Sequence, residues 1–200
     1  MKRLICFAMA AALALTGVCV SVPAQAASVK KISMKTGDTK KLSVFKGKNT
    51  FKVSKNCVKV SKTGKVTAMK GGTATVTVKK GKKQKKYKIT VKDVCLSIDY
   101  SKVSRATVID LTYGTKVDLD AEHLQVVKDA LQEKNLVKDL ILTGTKKKSG
   151  SGKYGIHLYD AAGKELYNIT ISLGYVSVYG GDCYRMKKVI DFSGLQALFA

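Results

Sequence analysis

Seven lysines fall within one ten-residue stretch: Lys79, Lys80, Lys82, Lys83, Lys85, Lys86 and Lys88. An ammonium group is a compact point charge without arginine's planar fork, so such a cluster suits diffuse attraction to a polyanion better than base-specific reading. The same lysines on the outer face of a sheet would also solubilise it and guard its edges against pairing with other chains. Other groups able to do chemistry are few. His123 and His157 are the two histidines, and a Cys183–His157 dyad would be the obvious nucleophile and base, because a thiolate needs a nearby imidazole to generate it. Neither carries a local signature, and His157 alternates with Ile156 and Leu158, which turns it away from them, so no catalytic residue is assigned. Asp118, Asp120 and Glu122 form a short acidic cluster that lacks the spacing and glycine of a calcium loop; helix capping explains it. No metal and no cofactor is expected. Ser149-Gly150-Ser151-Gly152 lacks the Lys-Ser/Thr ending of a phosphate-binding loop and reads as a flexible connection.

Charge and targeting set the context for the lysines. Met1-Lys2-Arg3 is followed by an almost wholly apolar run from Leu4 to Val22 and by Ala24-Gln25-Ala26, the pattern of an export signal over residues 1–26. An uncleaved anchor is the alternative for a run of this length, while Val18 before Cys19 argues against lipidation. With no second apolar run, no membrane partner is expected after cleavage. Residues 27–92 hold 21 lysines, no arginine and one acid, Asp38, whereas residues 93–200 hold 14 basic and 13 acidic residues. A charge boundary near Asp93 therefore marks the expected domain boundary. Cleavage leaves Cys57, Cys95 and Cys183. Three thiols cannot all pair; Cys95 with Cys183 is the expected disulfide because both lie beyond the boundary, unless a reducing habitat keeps all three free.

The elements that must position the lysines are strands. Ala74, Val76 and Val78 alternate with Thr73, Thr75 and Thr77, and Tyr87, Ile89 and Val91 alternate with Lys86, Lys88 and Thr90, so two half-buried strands flank a lysine-rich hairpin loop. Earlier short apolar pieces (Val29, Ile32 and Met34; Leu42 and Val44; Phe51 and Val53; Val58 and Val60) are separated by glycine turns, which predicts a β-sandwich. The ordered series Thr36-Gly37-Asp38-Thr39, Val53-Ser54-Lys55-Asn56, Val58-Lys59-Val60-Ser61, Gly64-Lys65-Val66-Thr67-Ala68 and Gly71-Gly72-Thr73-Ala74-Thr75-Val76 resembles the bacterial immunoglobulin-like group 2 domain over about residues 28–92. The resemblance implies an immunoglobulin-like sandwich of a surface protein, acting as spacer, adhesion module or carbohydrate-binding module, and not an enzyme. Phe51 sits slightly earlier than the aromatic that often precedes the Ser-x-Asn step in that family.

Residues 95–200 predict a small α+β domain. Strands are expected at Thr107 to Leu111, Lys116 to Leu119, Leu136 to Leu142, Tyr154 to Tyr159, Glu165 to Ser172, Tyr175 to Tyr179 and Cys183 to Met186. A helix opens after Asp120 with Leu124, Val127 and Leu131 as its buried stripe, and a second lies at Leu195 to Phe199. Gly155-Ile156-His157-Leu158-Tyr159-Asp160, Gly163-Lys164-Glu165, Ile169-Thr170-Ile171, Tyr184 and a closing Ile190-Asp191-Phe192 are similar to small extracytoplasmic domains of uncharacterised Gram-positive proteins, a likeness that carries no activity.

Together these features predict a secreted or wall-associated binding or adhesion protein. Its lysine-rich module is expected to hold an anionic wall polymer or acidic glycan, with no specific nucleic acid as partner. The alternative is an exported enzyme or inhibitor with its site in the second module, near Cys183 and His157 or in the loop after Leu142.

Overall fold

The structure is a computed structural model that describes residues 28–144 and 152–200. The expected export signal over residues 1–26 and most of the Lys146–Gly152 connection lie outside these residues. The described chain is predominantly β, with two buried clusters, one built from residues 32–91 and the other from residues 96–195.

The front half contains β1 (Val29–Lys35), β2 (Thr39–Lys41), β3 (Thr50–Val53), β4 (Val58–Val60), β5 (Lys65–Ala68), β6 (Gly72–Lys80) and β7 (Lys83–Lys92). These form a four-stranded sheet in the order β1-β7-β6-β3 and a three-stranded sheet in the order β2-β5-β4. β1 runs parallel to β7, and the other pairs are antiparallel. The period-two pattern decides which face is dry. Ala74, Val76 and Val78 of β6 and Tyr87, Ile89 and Val91 of β7 are buried, and Val58, Val66 and Ala68 of the smaller sheet join the same cluster. Val66, Val76, Val78 and Ile89 are wholly removed from water, and each such side chain contributes roughly 1.5–3 kcal/mol over its exposed state. Gly64 closes the β4–β5 turn at φ +80°, and a Cβ there would fall 2.7 Å from Val44 Cγ1, so both backbone and space require glycine. The lysine-rich segment is not a loop: β6 and β7 stay paired as far as Lys80 opposite Lys83, leaving only Gly81 and Lys82 to turn.

The rear half contains β8 (Arg105–Asp110), β9 (Lys116–Asp120), α1 (Gln125–Leu131), β10 (Leu136–Lys138), α2 (Leu140–Gly144), β11 (Gly152–Tyr159), β12 (Glu165–Ser172), β13 (Tyr175–Val178), β14 (Asp182–Met186) and α3 (Ser193–Ala197). Its seven strands form one antiparallel sheet in the order β10-β14-β13-β12-β11-β8-β9. Leu124, Val127 and Leu131 are buried in one cluster with Ile156, Leu158, Ile169 and Ile171, so the helical stripe covers the apolar face of the sheet. α3 packs beside α1, where a Cβ on Gly194 would stand 3.2 Å from Val126 Cγ2. No helix among the described residues is long and apolar enough to cross a membrane.

Two expectations about this half need correction. The strand expected over Leu136 to Leu142 ends at Lys138, because the buried Asp139 accepts the Ile141 and Leu142 amides on Oδ1, at 3.0 and 3.4 Å, and starts α2 instead. The Cys95–Cys183 disulfide is not formed; Cys57, Cys95 and Cys183 are all free thiols. Cys95 bridges to Val137 of β10, and β14 lies on the far side of β10. Two strand spacings amount to roughly 9–10 Å, beyond the roughly 7 Å Cα separation that a disulfide can span.

A backbone hydrogen bond links the halves, Leu140 N donating to Met69 O at 2.8 Å, and in the segment that joins them Asp93 Oδ2 lies 3.2 Å from Lys187 Nζ.

Candidate polyanion-binding face

The outer face of the four-stranded sheet is set by strand register. Lys88 of β7 stands between Lys31 of β1 and Thr75 of β6; one pleat away, Lys86 stands beside Thr77, which stands beside Lys52 of β3. A further pleat on, Lys79 lies between Gln84 and Thr50. Side chains on one face repeat roughly every 5 Å across strands and roughly every 7 Å along them. Ammonium groups therefore surround a floor of hydroxyls. Ser54 extends the floor past β3: its Oγ accepts the Thr75 amide at 2.8 Å, while its own amide donates to Thr75 O at 3.0 Å. A shallow hollow of about 320 Å³ results, lined by Lys52, Ser54, Thr75, Thr77, Lys79, Gln84 and Lys86.

Its electrostatics follow from what is missing nearby. Asp38 is the sole acid of residues 27–92, and its Oδ2 is taken by the Lys35 amide at 2.7 Å in a tight turn. Among the described residues, no lysine from Lys30 to Lys92 is ion-paired with a carboxylate. An unneutralised array of one sign costs stability through self-repulsion and attracts counter-ions of the other sign. Hydroxyl and amide donors on the floor, with lysines at the rim, give a bound anionic oxygen both hydrogen bonds and charge.

The seven lysines expected to act as one patch are split by the same register. Lys79, Lys86 and Lys88 belong to the outer face. Lys80, Lys83 and Lys85 share parity with the buried residues and point to the other side, where Lys80 Nζ donates to Lys46 O at 2.5 Å. Lys85 Nζ donates to Ser43 Oγ at 3.1 Å and stands 4.8 Å from the centroid of the Phe45 ring. Tyr87 Oη donates to Ser43 O at 2.6 Å beneath them. Lys82 sits at the tip. Sequence reasoning missed Lys31, Lys52, Ser54 and Gln84. Lys52 alternates with Phe51 and Val53, a period-two signal that could have found it.

The catalytic candidates of the rear half are not brought together. Cys183 is on β14 and His157 on β11, three strands apart in the sheet order, roughly 14 Å. His157 turns outward between the buried Ile156 and Leu158, with Nδ1 2.5 Å from Glu165 Oε1 and its ring stacked on Tyr159 at 6.5 Å. His123 Nδ1 lies 2.7 Å from Asp120 Oδ1, which also accepts the Glu122 and His123 amides at 3.1 Å each. The hydrogen bond with the imidazole, with help from those amides, holds the Asp120 carboxyl below its ordinary value. Asp120 thus caps the turn that leads into α1, while Asp118 accepts the Thr107 hydroxyl at 2.5 Å. No group of three histidine, cysteine or acidic side chains among the described residues is placed to hold a metal ion. No family model and no curated protein matches the sequence.

Proposed function

We propose that this chain is an exported binding protein of the cell surface. Its front half, an immunoglobulin-like sandwich of the bacterial group 2 type, holds anionic wall polymers or acidic glycans on the outer face of the four-stranded sheet. Its rear half is a small α+β unit that docks or recognises a second feature of the same surface. One observation carries the reading: Lys52, Lys79 and Lys86 ring a hydroxyl floor on a face whose lysines have no carboxylate partner among the described residues. A polymer with a negative charge every few ångströms can span several of these ammonium groups at once, so many weak contacts add and the attraction falls steeply with salt. The export signal read in residues 1–26 supports a meeting with such polymers outside the cell.

The test is retention on an immobilised phosphate-rich polymer as sodium chloride is raised. The protein should elute in one salt-dependent step, and the combined K52Q, K79Q and K86Q variant should elute at distinctly lower salt. Retention indifferent to salt, or unchanged in that variant, would count against the proposal.

A further inference from the structure

A second hollow, of about 420 Å³, lies in the rear half between the β12–β13 turn and the segment from Met186 to Phe192. Its floor includes Ile171 and Ile190, members of the buried core, and Phe192, whose ring sits 6.3 Å from that of Tyr154. Leu173, Met186 and Val189 form its walls. Leu173 is 92% exposed and Val189 is 98% exposed, so two large apolar side chains stand in water beside an opening into the core. Contiguous exposed apolar surface rimmed by polar groups marks an interaction site, and here Leu173 and Val189 line one hollow with lysines around it. The volume falls within the range of small-molecule sites and the lining is mainly aliphatic, the chemistry of a hydrocarbon chain.

The rim specifies the head that such a chain must carry. Lys153, Lys187 and Lys188 surround the opening. Lys187 is engaged with Asp93 at 3.2 Å, and Lys153 stands 5.2 Å over the Tyr154 ring. Lys188 is exposed and, among the described residues, in no ion pair. Asp191 lies next in sequence to the floor but is turned to α3, where its two oxygens accept the Ser193 amide and hydroxyl at 2.9 Å each. Charge complementarity therefore selects a negative head above an apolar tail. We propose that this hollow binds a single-chain amphiphile with an anionic head, the tail between Leu173 and Val189 and the head on Lys153 and Lys188. The proposal does not depend on the lysine face of the front half.

Isothermal titration of the protein lacking residues 1–26, with dodecyl phosphate kept below its micelle concentration, tests this directly. One saturable site per chain is expected. Dodecyl maltoside, which keeps the tail, and inorganic phosphate, which keeps only the head, should each bind at least about tenfold more weakly. The L173S/V189S double variant changes only exposed side chains and should fold normally, yet lose about tenfold or more in affinity for dodecyl phosphate. Its salt-dependent retention on a phosphate polymer should be unchanged, and the K52Q/K79Q/K86Q variant should keep its dodecyl phosphate affinity. K188Q should weaken dodecyl phosphate and leave dodecyl maltoside unaffected. The proposal is overturned by absence of a saturable site, by equal binding of the neutral maltoside, by indifference to L173S/V189S, or by capture on anionic vesicles without uptake of the monomeric amphiphile.

Discussion

Lys85 and Lys86 are neighbours in the chain and serve opposite faces of one sheet. Lys85 reaches over the Phe45 ring and donates to Ser43, whereas Lys86 borders the hydroxyl-floored hollow beside Thr77. Substitution should separate the two roles. K85A removes a cation–π contact and a hydrogen bond and should cost about 0.5–1 kcal/mol in urea denaturation, with little change in retention on a polyanion. K86A should change stability by no more than about 0.5 kcal/mol, while lowering the salt needed for elution. A reversed pattern would mean that the register does not govern the two faces.

Gly64 supplies a stability test of the front half. At φ +80° an alanine is strained, and its Cβ would press on Val44 Cγ1 at 2.7 Å. G64A should cost about 1–2 kcal/mol for the left-handed backbone alone, read as a lower urea midpoint at unchanged slope. A neutral effect would contradict the turn.

Two carboxyl groups in the rear half predict opposite pH dependences. Asp120 is held below its ordinary value of 3.8. Its stabilisation is therefore present above about pH 4 and is lost as pH falls through the depressed folded value. Glu133 accepts the Ile98 amide at 3.2 Å, yet burial pushes it above its ordinary 4.5. Stability associated with Glu133 is fully present below that value and is lost as pH rises through the raised one. In thermal unfolding from pH 3 to 8, D120N should fall below the parent most clearly above pH 4 and converge with it in acid. E133Q, which retains an acceptor for Ile98, should match or exceed the parent at neutral pH and show a flatter curve above pH 4.5.

Strong alternation makes the β6–β7 pair legible in the sequence: valines and threonines separate cleanly, and the buried and outward residues fall where that pattern puts them. The helical stripe of Leu124, Val127 and Leu131 was equally plain. What misled was local apolarity without periodicity. Leu140-Ile141-Leu142 reads as the continuation of a strand, and only the side chain of Asp139, buried and turned onto two amides, converts it into a helix start. The lysine stretch reads as a loop because charge density hides alternation. Lys79 and Lys80, like Lys85 and Lys86, differ by one residue and so by a whole face. Ser54 and Gln84 carried no signal of their own; the hollow needs β3 beside β6, a pairing that becomes visible only in the folded sheet.

Acetylation footprinting of every lysine, with and without a long polyphosphate chain at low salt, tests the binding face most directly. The account predicts protection concentrated at Lys52, Lys79, Lys86 and Lys88, with Lys80 and Lys85 reacting alike in both samples. Protection spread evenly over the lysines, or centred on those of the rear half, would contradict it.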